Sequence, residues 1–440
     1  MSRGWTRKLL AELTEAGPPL CVGYSGGADS SSLLHALAMS DKVRRRGLRA
    51  LHVDHGLDPA SADWAVAARR FCASLDLPCD VVQVRVDREQ GQGLEAAARE
   101  ARYRAFADRL AADEWLLLAQ HRDDQAETVL LKLLRGAGPD ALRGMRRQRP
   151  LGRGLLLRPL LDVPGRHLRD YAREQALPVQ PDPSNQDLRL SRNYLRQAIM
   201  PQLQTHWPHA VDSILHAARW CGEAADALEP AITDGLQALQ DPGDASLAGP
   251  AWLALAPALR VPVLHEWLRH QGLPAPSTAQ REQLERQVGA LPGRLPQVRW
   301  PGVVVYVWRQ RLWATPPPRP VAVDWSCPWQ GEMVPLPDGS CYGLPPGSAV
   351  LPPLELRLRQ GGERIQLAGE TMHRELRDLF QQGGLPPWRR QTCPLVHENG
   401  QLIAVGDRWM SARGLELFQA HGGLPQWRSA SAIDSDAGLG

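Results

Sequence analysis

Through the N-terminal part of the chain, short apolar runs alternate with segments whose apolar residues recur at helical spacing. A short apolar run between turn residues is typical of a buried strand, and a 3.6-residue period is typical of an amphipathic helix. Strict alternation of the two predicts βαβ units, and therefore an α/β fold with a doubly wound parallel sheet. The predicted strands are 19–25, 48–56, 79–86 and 114–121, and the predicted helices are 29–40, 60–75, 93–112 and 123–136.

The remainder of the chain has a different pattern. Residues 207–316 have mainly helical periodicity and close with the strand-like segment 302–314, after which the proline-rich segment 315–320 has the composition of a stiff linker. Residues 317–428 are rich in strand and turn signals, with one predicted helix at 373–384, which together predict a small α+β domain. The predicted domains are 1–206, 207–316 and 317–428, followed by a tail at 429–440 whose composition predicts disorder.

The distribution of charge is more informative than its total. A chain of 440 residues that is 43% hydrophobic can bury several cores, and its net charge of +3 is close to balanced. Residues 135–196, however, hold thirteen arginines against six acidic residues, which is too large an excess for a balanced solvated face. Only Lys8, Lys42 and Lys132 are lysines. Codon usage can explain that preference, but the planar arginine fork also suits phosphate.

The cysteines and the apolar runs exclude several classes of protein. None of the seven cysteines forms a C-x-x-C pair, so neither a zinc knuckle nor a disulfide framework is indicated. The N-terminal segment lacks the apolar run of a signal peptide, and no other apolar run is long enough to cross a bilayer. We therefore expect a cytoplasmic protein with no membrane partner.

The segment SGGADS, residues 25–30, separates the first predicted strand from the first predicted helix. Free backbone N–H groups and the dipole at a helix start attract an anion. Gly26 and Gly27 let the backbone approach an oxyanion, the serine hydroxyls add donors, and Asp29 could hold Mg²⁺ against phosphate oxygens. The lysine of a Walker A loop is missing. Such a loop suits a pyrophosphate that leaves, rather than a terminal phosphoryl group that is transferred.

Two further polar segments also follow predicted strands. They are HVDHG at 52–56 and QHRDDQAET at 120–128. Ligands of parallel sheets bind beyond the carboxyl ends of the strands. We therefore expect these segments and the glycine loop to line one site.

The glycine loop resembles the PP-loop of the ATP-pyrophosphatase superfamily, whose members activate an oxygen by adenylation and release pyrophosphate. Five segments follow it in order: HVDHGL, GLEAAAREARY, AQHRDDQAET, LLRGAGP and DPSNQDLRLSRNYLR. This set closely resembles the tRNA(Ile)-lysidine synthetase family. The later helical region and the segment LRDLFQQGGLPPWRRQTCPLV look like the two accessory domains of that family.

The resemblance implies a two-step reaction. ATP adenylates the wobble cytidine of the isoleucine tRNA with a CAU anticodon, and the ε-amine of L-lysine then displaces AMP to form lysidine. It implies ATP as a substrate, Mg²⁺ as a cofactor, and L-lysine and this tRNA as partners. Some members of the family form dimers, so a homodimer is possible.

The resemblance also implies roles for individual residues. ATP would be bound by Ser25, Gly26, Gly27, Ala28, Asp29, Ser30, His52, Asp54 and His55, with Mg²⁺ on Asp29 and Asp124. Catalytic roles would fall to Asp29, Arg99, Arg102, Asp123, Asp124 and Glu127, the last three forming an acidic site for lysine. Contacts with tRNA would come from Arg192, Asn193, Arg196, Arg374 and Arg377.

Each of these assignments has a structural alternative. His52 can simply cap a strand, the acids at 123–127 can stabilise a helix dipole, and the arginines of 99–102 and 192–196 can form ordinary surface stripes. Two other functions stay open at this point. One is a PP-loop tRNA thiolase, although such enzymes need a well-placed cysteine pair, and the other is a tRNA-binding protein with an inactive nucleotide site.

Overall fold

A computed structural model describes residues 4–13, 16–86, 94–180, 186–289, 295–322 and 324–428. The chain divides into two compact units, Met1–Leu228 and Glu229–Gly440. The predicted disordered tail, 429–440, lies outside the described residues. Within the described residues, no helix has the length and apolar character needed to cross a membrane.

A six-stranded sheet and its surrounding helices form the first unit. The strands are β1 (Leu20–Gly23), β2 (Leu48–Asp54), β3 (Cys79–Gln83), β4 (Trp115–Leu117), β5 (Gln148–Leu151) and β6 (Gly154–Leu157). The helices are α1 (Gly4–Glu12), α2 (Ala28–Ala38), α3 (Asp41–Arg45), α4 (Ser61–Ser74), α5 (Leu94–Arg109), α6 (Arg122–Leu134), α7 (Pro139–Leu142), α8 (Gly165–Glu174), α9 (Ser191–Tyr194) and α10 (Met200–His206), with a π-helical segment (Leu195–Ile199) between the last two. Helix α11 (Ala210–Leu239) runs across the boundary between the units.

The sheet has the strand order β3–β2–β1–β4–β6–β5. All neighbouring strands are parallel except β5 and β6, which pair antiparallel. The predicted α/β fold with a doubly wound parallel sheet is therefore confirmed. The order reverses between β1 and β4, and in doubly wound sheets this switch point opens the crevice that binds ligands.

The hairpin of β5 and β6 adds two strands to the four that the sequence predicts. Strand β5 lies at the sheet edge, contains Pro150 and buries little of its length, so it lacks the apolar run that reveals a core strand. Its turn contains Gly152 at a φ of +55°, where a side chain would collide with the Ala107 carbonyl. The glycines at 152 and 154, directly before the apolar run 155–157, are the signal that could have revealed this hairpin.

Both faces of the sheet are covered, which explains the continuous apolar runs. In β1, Leu20 and Val22 belong to a core that includes residues of α2 and α8. Cys21, between them, belongs to a second core that includes Phe106, near the C-terminal end of α5, and Leu110, directly after that helix. The alternation along β1 therefore fixes the sheet between two helical layers and holds its carboxyl edge in place.

Helices and small antiparallel sheets make up the second unit. The strands are β7 (Leu247–Ala248), β8 (Gln297–Trp300), β9 (Val303–Trp308), β10 (Arg311–Thr315), β11 (Ser326–Trp329), β12 (Val334–Pro335), β13 (Cys341–Gly343), β14 (Leu354–Leu358), β15 (Arg364–Gln366), β16 (His373–Glu375), β17 (Pro394–Glu398), β18 (Gln401–Val405), β19 (Trp409–Met410) and β20 (Gln426–Arg428). The helices are α12 (Gly249–Ala254), α13 (Pro257–His270), α14 (Thr278–Val288), α15 (Leu376–Gln382) and α16 (Ala412–Ala420), with a 3₁₀ turn at Pro387–Arg389.

These elements surround two cores. One core joins α13, α14 and the sheet β7–β10–β9–β8 around the buried Trp252 and Trp267. The other joins the sheet β11–β14–β17–β18–β19 to α15 and α16 around Trp329, Phe380 and Phe418. The helical region followed by an α+β region agrees with the predicted fold class.

Two predicted elements of this unit need correction. The single strand-like segment 302–314 is a hairpin, because Arg309 and Gln310 both adopt positive φ and turn the chain between β9 and β10. The helix predicted from His373 begins only at Leu376, because the three residues before it pair with β15 as strand β16. In both places a pairing between strands overrides the local helical or apolar pattern.

Candidate active site

The loop between β1 and α2 is held open by its own polar groups. Gly26 has a φ of +83°, and its carbonyl accepts a hydrogen bond from the Gln180 N–H (3.0 Å). The Ser30 hydroxyl donates to the Gly27 carbonyl (3.0 Å) and accepts from the Ser25 N–H (3.2 Å). The hydroxyls of Ser25 and Ser30 lie 3.0 Å apart. These contacts fix the loop with both hydroxyls beside the start of α2.

Helix α2 begins at Ala28, immediately after the extended Gly27, and no side chain within the described residues caps it. Its first N–H groups therefore still need an acceptor. Ser30, in its first turn, is buried, whereas Asp29 is partly exposed. The predicted ATP-binding residues 25–30 thus form one uncapped helix start with the properties of an anion site.

His52 and Asp54 lie at the carboxyl end of β2, and both are buried. His52 Nδ1 lies 2.9 Å from the Tyr24 carbonyl oxygen, which can only accept a hydrogen bond, and burial lowers the pKa of His52. Burial alone would raise the pKa of Asp54, but hydrogen bonds from Gly56 and Gln83 lower it. Both side chains brace the strand end that borders the loop.

His55 differs from His52 because part of it has no partner. Its Nδ1 is buried and makes no hydrogen bond to any described residue. Burial, and next the charge of Arg102, lower the pKa of His55. A neutral imidazole with an unused nitrogen can still bind a ligand.

His121 connects the glycine loop with helix α6. The backbone N–H of His121 donates to Asp124 Oδ2 (2.9 Å), and the backbone N–H of Asp124 donates to His121 Nδ1 (3.4 Å). Together these two hydrogen bonds form a reciprocal cap at the start of α6. His121 Nε2 lies 3.5 Å from Asp29 Oδ2 and 3.6 Å from Asp124 Oδ2. Burial alone would lower the pKa of His121, but the carboxylates raise it. The structure therefore brings Asp29 and Asp124 to one imidazole.

Asp29 is the better fitted of these two carboxylates for Mg²⁺. Its Oδ1 is buried and has no hydrogen-bond partner among the described residues. Mg²⁺ is commonly held by one or two carboxylates together with substrate phosphates and waters, and an orphaned carboxylate oxygen beside a phosphate loop meets that need. No group of three or more His, Cys, Asp or Glu side chains in the described part of the chain could hold a metal alone.

Two arginines bind the other predicted acids, forming what we call the arginine–carboxylate network (Asp124, Glu127, Arg192 and Arg196). Arg192 donates to Asp124 (3.0 Å) and to Glu127 (3.1 Å). Arg196 donates to Asp124 (2.6 Å) and twice to Glu127 (2.7 and 2.9 Å). Both carboxylates are buried, and although burial alone would raise the pKa of Asp124, His121 and the two arginines lower it. Two negative and two positive charges therefore compensate each other.

Asp123 and Asn193 lie beside this network but have other partners. Asp123 Oδ2 accepts a hydrogen bond from the Gly165 N–H (3.1 Å), and its side chain is 35% exposed. Asn193 is buried and donates to the Asp187 carbonyl (3.0 Å). Of the three predicted lysine-site acids, Asp123 alone forms no ion pair with an arginine within the described residues.

One of the two predicted catalytic arginines of α5, Arg99, lies beside an aromatic ring. Arg99 is exposed, and its Cζ lies 4.9 Å from the centroid of Tyr103. Arg149 of β5 contacts the same ring, and Arg158 contacts its hydroxyl. Tyr103, Arg149 and Arg158 are not among the predicted site residues. The arginine excess of residues 135–196 was the signal for the last two.

The remaining predicted tRNA contacts belong to the second unit. Arg374, on β16, donates to Glu370 (3.3 Å) and to the Gln382 side-chain oxygen (2.5 Å). Arg377 is exposed on α15.

Comparison with protein families matches three segments of the chain. A profile described as a PP-loop domain matches residues 5–203. Profiles described as a TilS substrate binding domain and a TilS substrate C-terminal domain match residues 247–313 and 354–428.

Curated relatives match nearly the whole chain. A tRNA(Ile)-lysidine synthase of Xanthomonas campestris pv. campestris is 42% identical over 96% of this chain and 98% of its own length. Those of Alkalilimnicola ehrlichii and Serratia proteamaculans are 40% and 36% identical, over 91% and 95% of this chain and 92% and 97% of their own. At this identity and coverage, the chain belongs to the tRNA(Ile)-lysidine synthase family.

Proposed function

We propose that this chain is an ATP-dependent ligase that joins the ε-amine of L-lysine to C2 of the wobble cytidine of tRNA(Ile) with a CAU anticodon. The products are lysidine, AMP and pyrophosphate. Family membership supports the reaction class, and the observation that carries it in this chain is the uncapped helix start beside the orphaned Asp29 Oδ1. The thiolase alternative is not favoured, because the matched relatives are lysidine synthases and no C-x-x-C pair is present.

In the first step, the cytosine O2 attacks the α-phosphorus of ATP and pyrophosphate leaves. We assign the N–H groups at Gly27 and Ala28, with the hydroxyls of Ser25 and Ser30, to the phosphate oxygens. Bound Mg²⁺, held by Asp29 and with Asp124 nearby, would neutralise charge on those oxygens. His52, Asp54 and His55 border the nucleotide, and Arg99 and Arg102 oppose the charge that develops as pyrophosphate departs.

In the second step, the lysine nitrogen attacks C2, the bond from C2 to the oxygen breaks, and AMP leaves with that oxygen. The ammonium must first lose a proton, and a carboxylate of the acidic group accepts it. Asp124 and Glu127 are already paired with Arg192 and Arg196, so Asp123 offers the uncompensated negative charge for the incoming ammonium. The paired acids keep α6 in register for that contact.

For tRNA, we assign Arg192, Asn193 and Arg196 to the anticodon region, and Arg374 and Arg377 to a separate part of the molecule. A wobble base already lies in a single-stranded loop, so placing it in a pocket costs little stacking energy. We also place the reaction in the cytoplasm, where aminoacylated and free tRNA are found together. A homodimer is a possible assembly of the enzyme.

The test is incorporation of labelled lysine into a CAU-anticodon tRNA(Ile) transcript with ATP and Mg²⁺, with elongator methionine tRNA as control. Incorporation into the isoleucine tRNA alone supports the proposal. Pyrophosphate release without lysine incorporation would keep the adenylation step and reject lysine as the nucleophile. Release of neither product would reject the reaction.

One variant tests the role of the orphaned oxygen. Asp29→Asn should abolish pyrophosphate release, and removal of Mg²⁺ with a chelator should do the same to the unsubstituted chain. Asp63→Asn, at an exposed acid in the first turn of α4, is the matched control and should leave the rate unchanged. Full activity of Asp29→Asn would remove Asp29 from the metal site.

A further inference from the structure

Guanidinium groups from three elements surround Tyr103. The Cζ atoms of Arg99 on α5 and Arg149 on β5 lie 4.9 and 5.1 Å from the ring centroid. Arg158, which follows β6, donates from Nη2 to the Tyr103 hydroxyl (3.2 Å), and Arg99 Nη2 lies 3.4 Å from the same oxygen. We call these four residues the arginine–tyrosine cluster.

Within the described residues of the unit, the positive charge of this cluster has no carboxylate partner. Among the described residues, no carboxylate forms an ion pair with Arg99, Arg149 or Arg158. Arg158 is only 3% exposed, yet its other donors go to neutral oxygens, those of the Gln120 side chain (2.9 Å) and the Arg146 carbonyl (2.8 Å). Its hydrogen bonds are satisfied, but its charge is not.

Lys132 adds a further positive charge near Arg99. Lys132 donates to the carbonyls of Ala141 and Gly144 (2.8 and 2.9 Å), and burial, followed by the charges of Arg99, Arg143 and Arg146, lowers its pKa even though Asp140 opposes them. Asp140 itself pairs with Arg143 and Arg146. Burying uncompensated charge is costly, so this arrangement is understandable when an anion completes it.

We propose that the arginine–tyrosine cluster is a phosphate-binding subsite of the enzyme. Arg99 is exposed and Arg149 is half-buried, so an oxyanion can reach both guanidinium forks. The Tyr103 hydroxyl accepts a hydrogen bond from Arg158 and keeps its own proton to donate to a phosphate oxygen. Arg158 is a positioning residue, because it holds Tyr103 and adds its charge without reaching the ligand.

The place of the cluster in the fold supports a phosphate ligand. Gln120 and Arg158 follow the carboxyl ends of β4 and β6, and β4 is the strand next to β1 across the switch point. Phosphate can come from the tRNA backbone or from the pyrophosphate that leaves ATP. The choice of these two sources rests on the proposed function. That the subsite binds a phosphate rests instead on the contacts of the cluster.

The experiment compares Arg149→Gln with the unsubstituted full-length chain in two assays. The first measures the Kd for CAU-anticodon tRNA(Ile) transcript as a function of KCl concentration, and the second measures inhibition of lysine incorporation, or direct binding, by inorganic pyrophosphate. Arg153→Gln is the matched control. Arg153 is exposed in the turn of the same hairpin, at the opposite end of the strands from Arg149. Tyr103→Phe, which keeps the ring but removes the hydroxyl, is the second variant.

Each outcome decides something. If the tRNA backbone supplies the phosphate, Arg149→Gln lowers the slope of log Kd against log salt by about 1. If pyrophosphate supplies it, the tRNA slope stays constant and pyrophosphate binding weakens about tenfold. Tyr103→Phe should weaken the same ligand. The subsite is overturned if neither assay changes in either variant, or if Arg153→Gln changes them equally.

Failure of the proposed function would be recognised separately. A chain that incorporates no lysine, but whose tRNA or pyrophosphate binding depends on Arg149, would reject the lysidine reaction and keep the subsite. If the unsubstituted chain makes lysidine and binding is unchanged in Arg149→Gln and Tyr103→Phe, the lysidine reaction is kept and the subsite is rejected.

Discussion

The first unit contains two groups of arginines whose positive charges meet different partners. In the arginine–carboxylate network, two guanidinium groups meet two buried carboxylates, and all the charge is compensated by the protein. In the arginine–tyrosine cluster, three guanidinium groups meet a phenol and neutral oxygens. The difference separates arginines whose charge is paired with carboxylates of the protein from arginines whose charge has no carboxylate partner among the described residues.

The energetic consequences of the two arrangements are opposite. Removing one member of a buried ion-pair network leaves a partner charge uncompensated, which typically costs about 3–5 kcal/mol. Removing one member of a group of like charges relieves repulsion, since two unit charges 4 Å apart interact by about 4 kcal/mol at an effective dielectric constant of 20. Stability and ligand binding should therefore respond in opposite ways in the two groups.

The largest expected effect is that of Glu127→Ala. Glu127 is almost completely buried and accepts three hydrogen bonds from Arg192 and Arg196, so its loss leaves both arginines short of a partner. We expect the free energy of unfolding to fall by about 3 kcal/mol, measured by urea denaturation of the full chain. Glu223→Ala, at an exposed position of α11, is the control and should change it by less than about 0.5 kcal/mol.

A stable Glu127→Ala variant would break the comparison. It would mean that the two arginines find water or another acceptor at no cost, so that the arginine–carboxylate network holds nothing together. Loss of stability in Glu127→Ala with recovery in the double variant Glu127→Ala/Arg196→Met would instead isolate the uncompensated charge as the cause.

The glycine loop could be predicted from sequence because its determinants are local. Residues 25–30 join a strand to a helix directly, and the positive φ of Gly26 is the conformation that a glycine at this place permits. The carboxylates of α6 were found in the same way, because they lie in the first turn and a half of a predicted helix. The doubly wound parallel sheet followed from the alternation of strands and helices along the chain.

The partners of these residues could not be predicted, because they are distant in the chain. Arg196 binds Glu127 across 69 positions, and Arg158 binds Tyr103 across 55. An arginine is normally exposed, so nothing in the sequence marks Arg158 as almost fully buried. The edge strand β5, which carries Arg149, also lacks the apolar run of a core strand. Pairing and burial are properties of the folded unit and not of a local pattern.

A smaller effect is expected for the stability of Arg149→Gln. Because Arg149 has no carboxylate partner among the described residues, its loss relieves repulsion from Arg99 and Arg158. We expect the free energy of unfolding in low salt to be equal to that of the unsubstituted chain or higher by up to about 0.5 kcal/mol. The difference should vanish in about 1 M KCl, where the Debye length falls to about 3 Å.

The control for this measurement is again Arg153→Gln, which removes the same charge at the other end of the hairpin. A fall of several kcal/mol in Arg149→Gln would show that the arginine is structural, like those of the arginine–carboxylate network, and the two groups would no longer differ.

The smallest expected effect is on the pKa of Tyr103, which responds directly to the positive charge of the arginine–tyrosine cluster. Burial alone would raise the pKa of Tyr103 above its ordinary value of 10.0, but the charges of Arg99 and Arg158, together with the Arg158 hydrogen bond, lower it. The difference in absorbance at 295 nm between the unsubstituted chain and Tyr103→Phe should therefore titrate below pH 10, and Arg99→Gln should move that midpoint upward. The pKa of Tyr103 is lower in the folded chain than in the unfolded chain, so its ionisation stabilises the folded chain above pH 10. This stabilisation is lost as the pH falls through the folded pKa, and it is absent near neutral pH. A midpoint at or above pH 10 would mean that the three guanidinium charges are screened at the ring. The arginine–tyrosine cluster would then have no excess field to offer a phosphate.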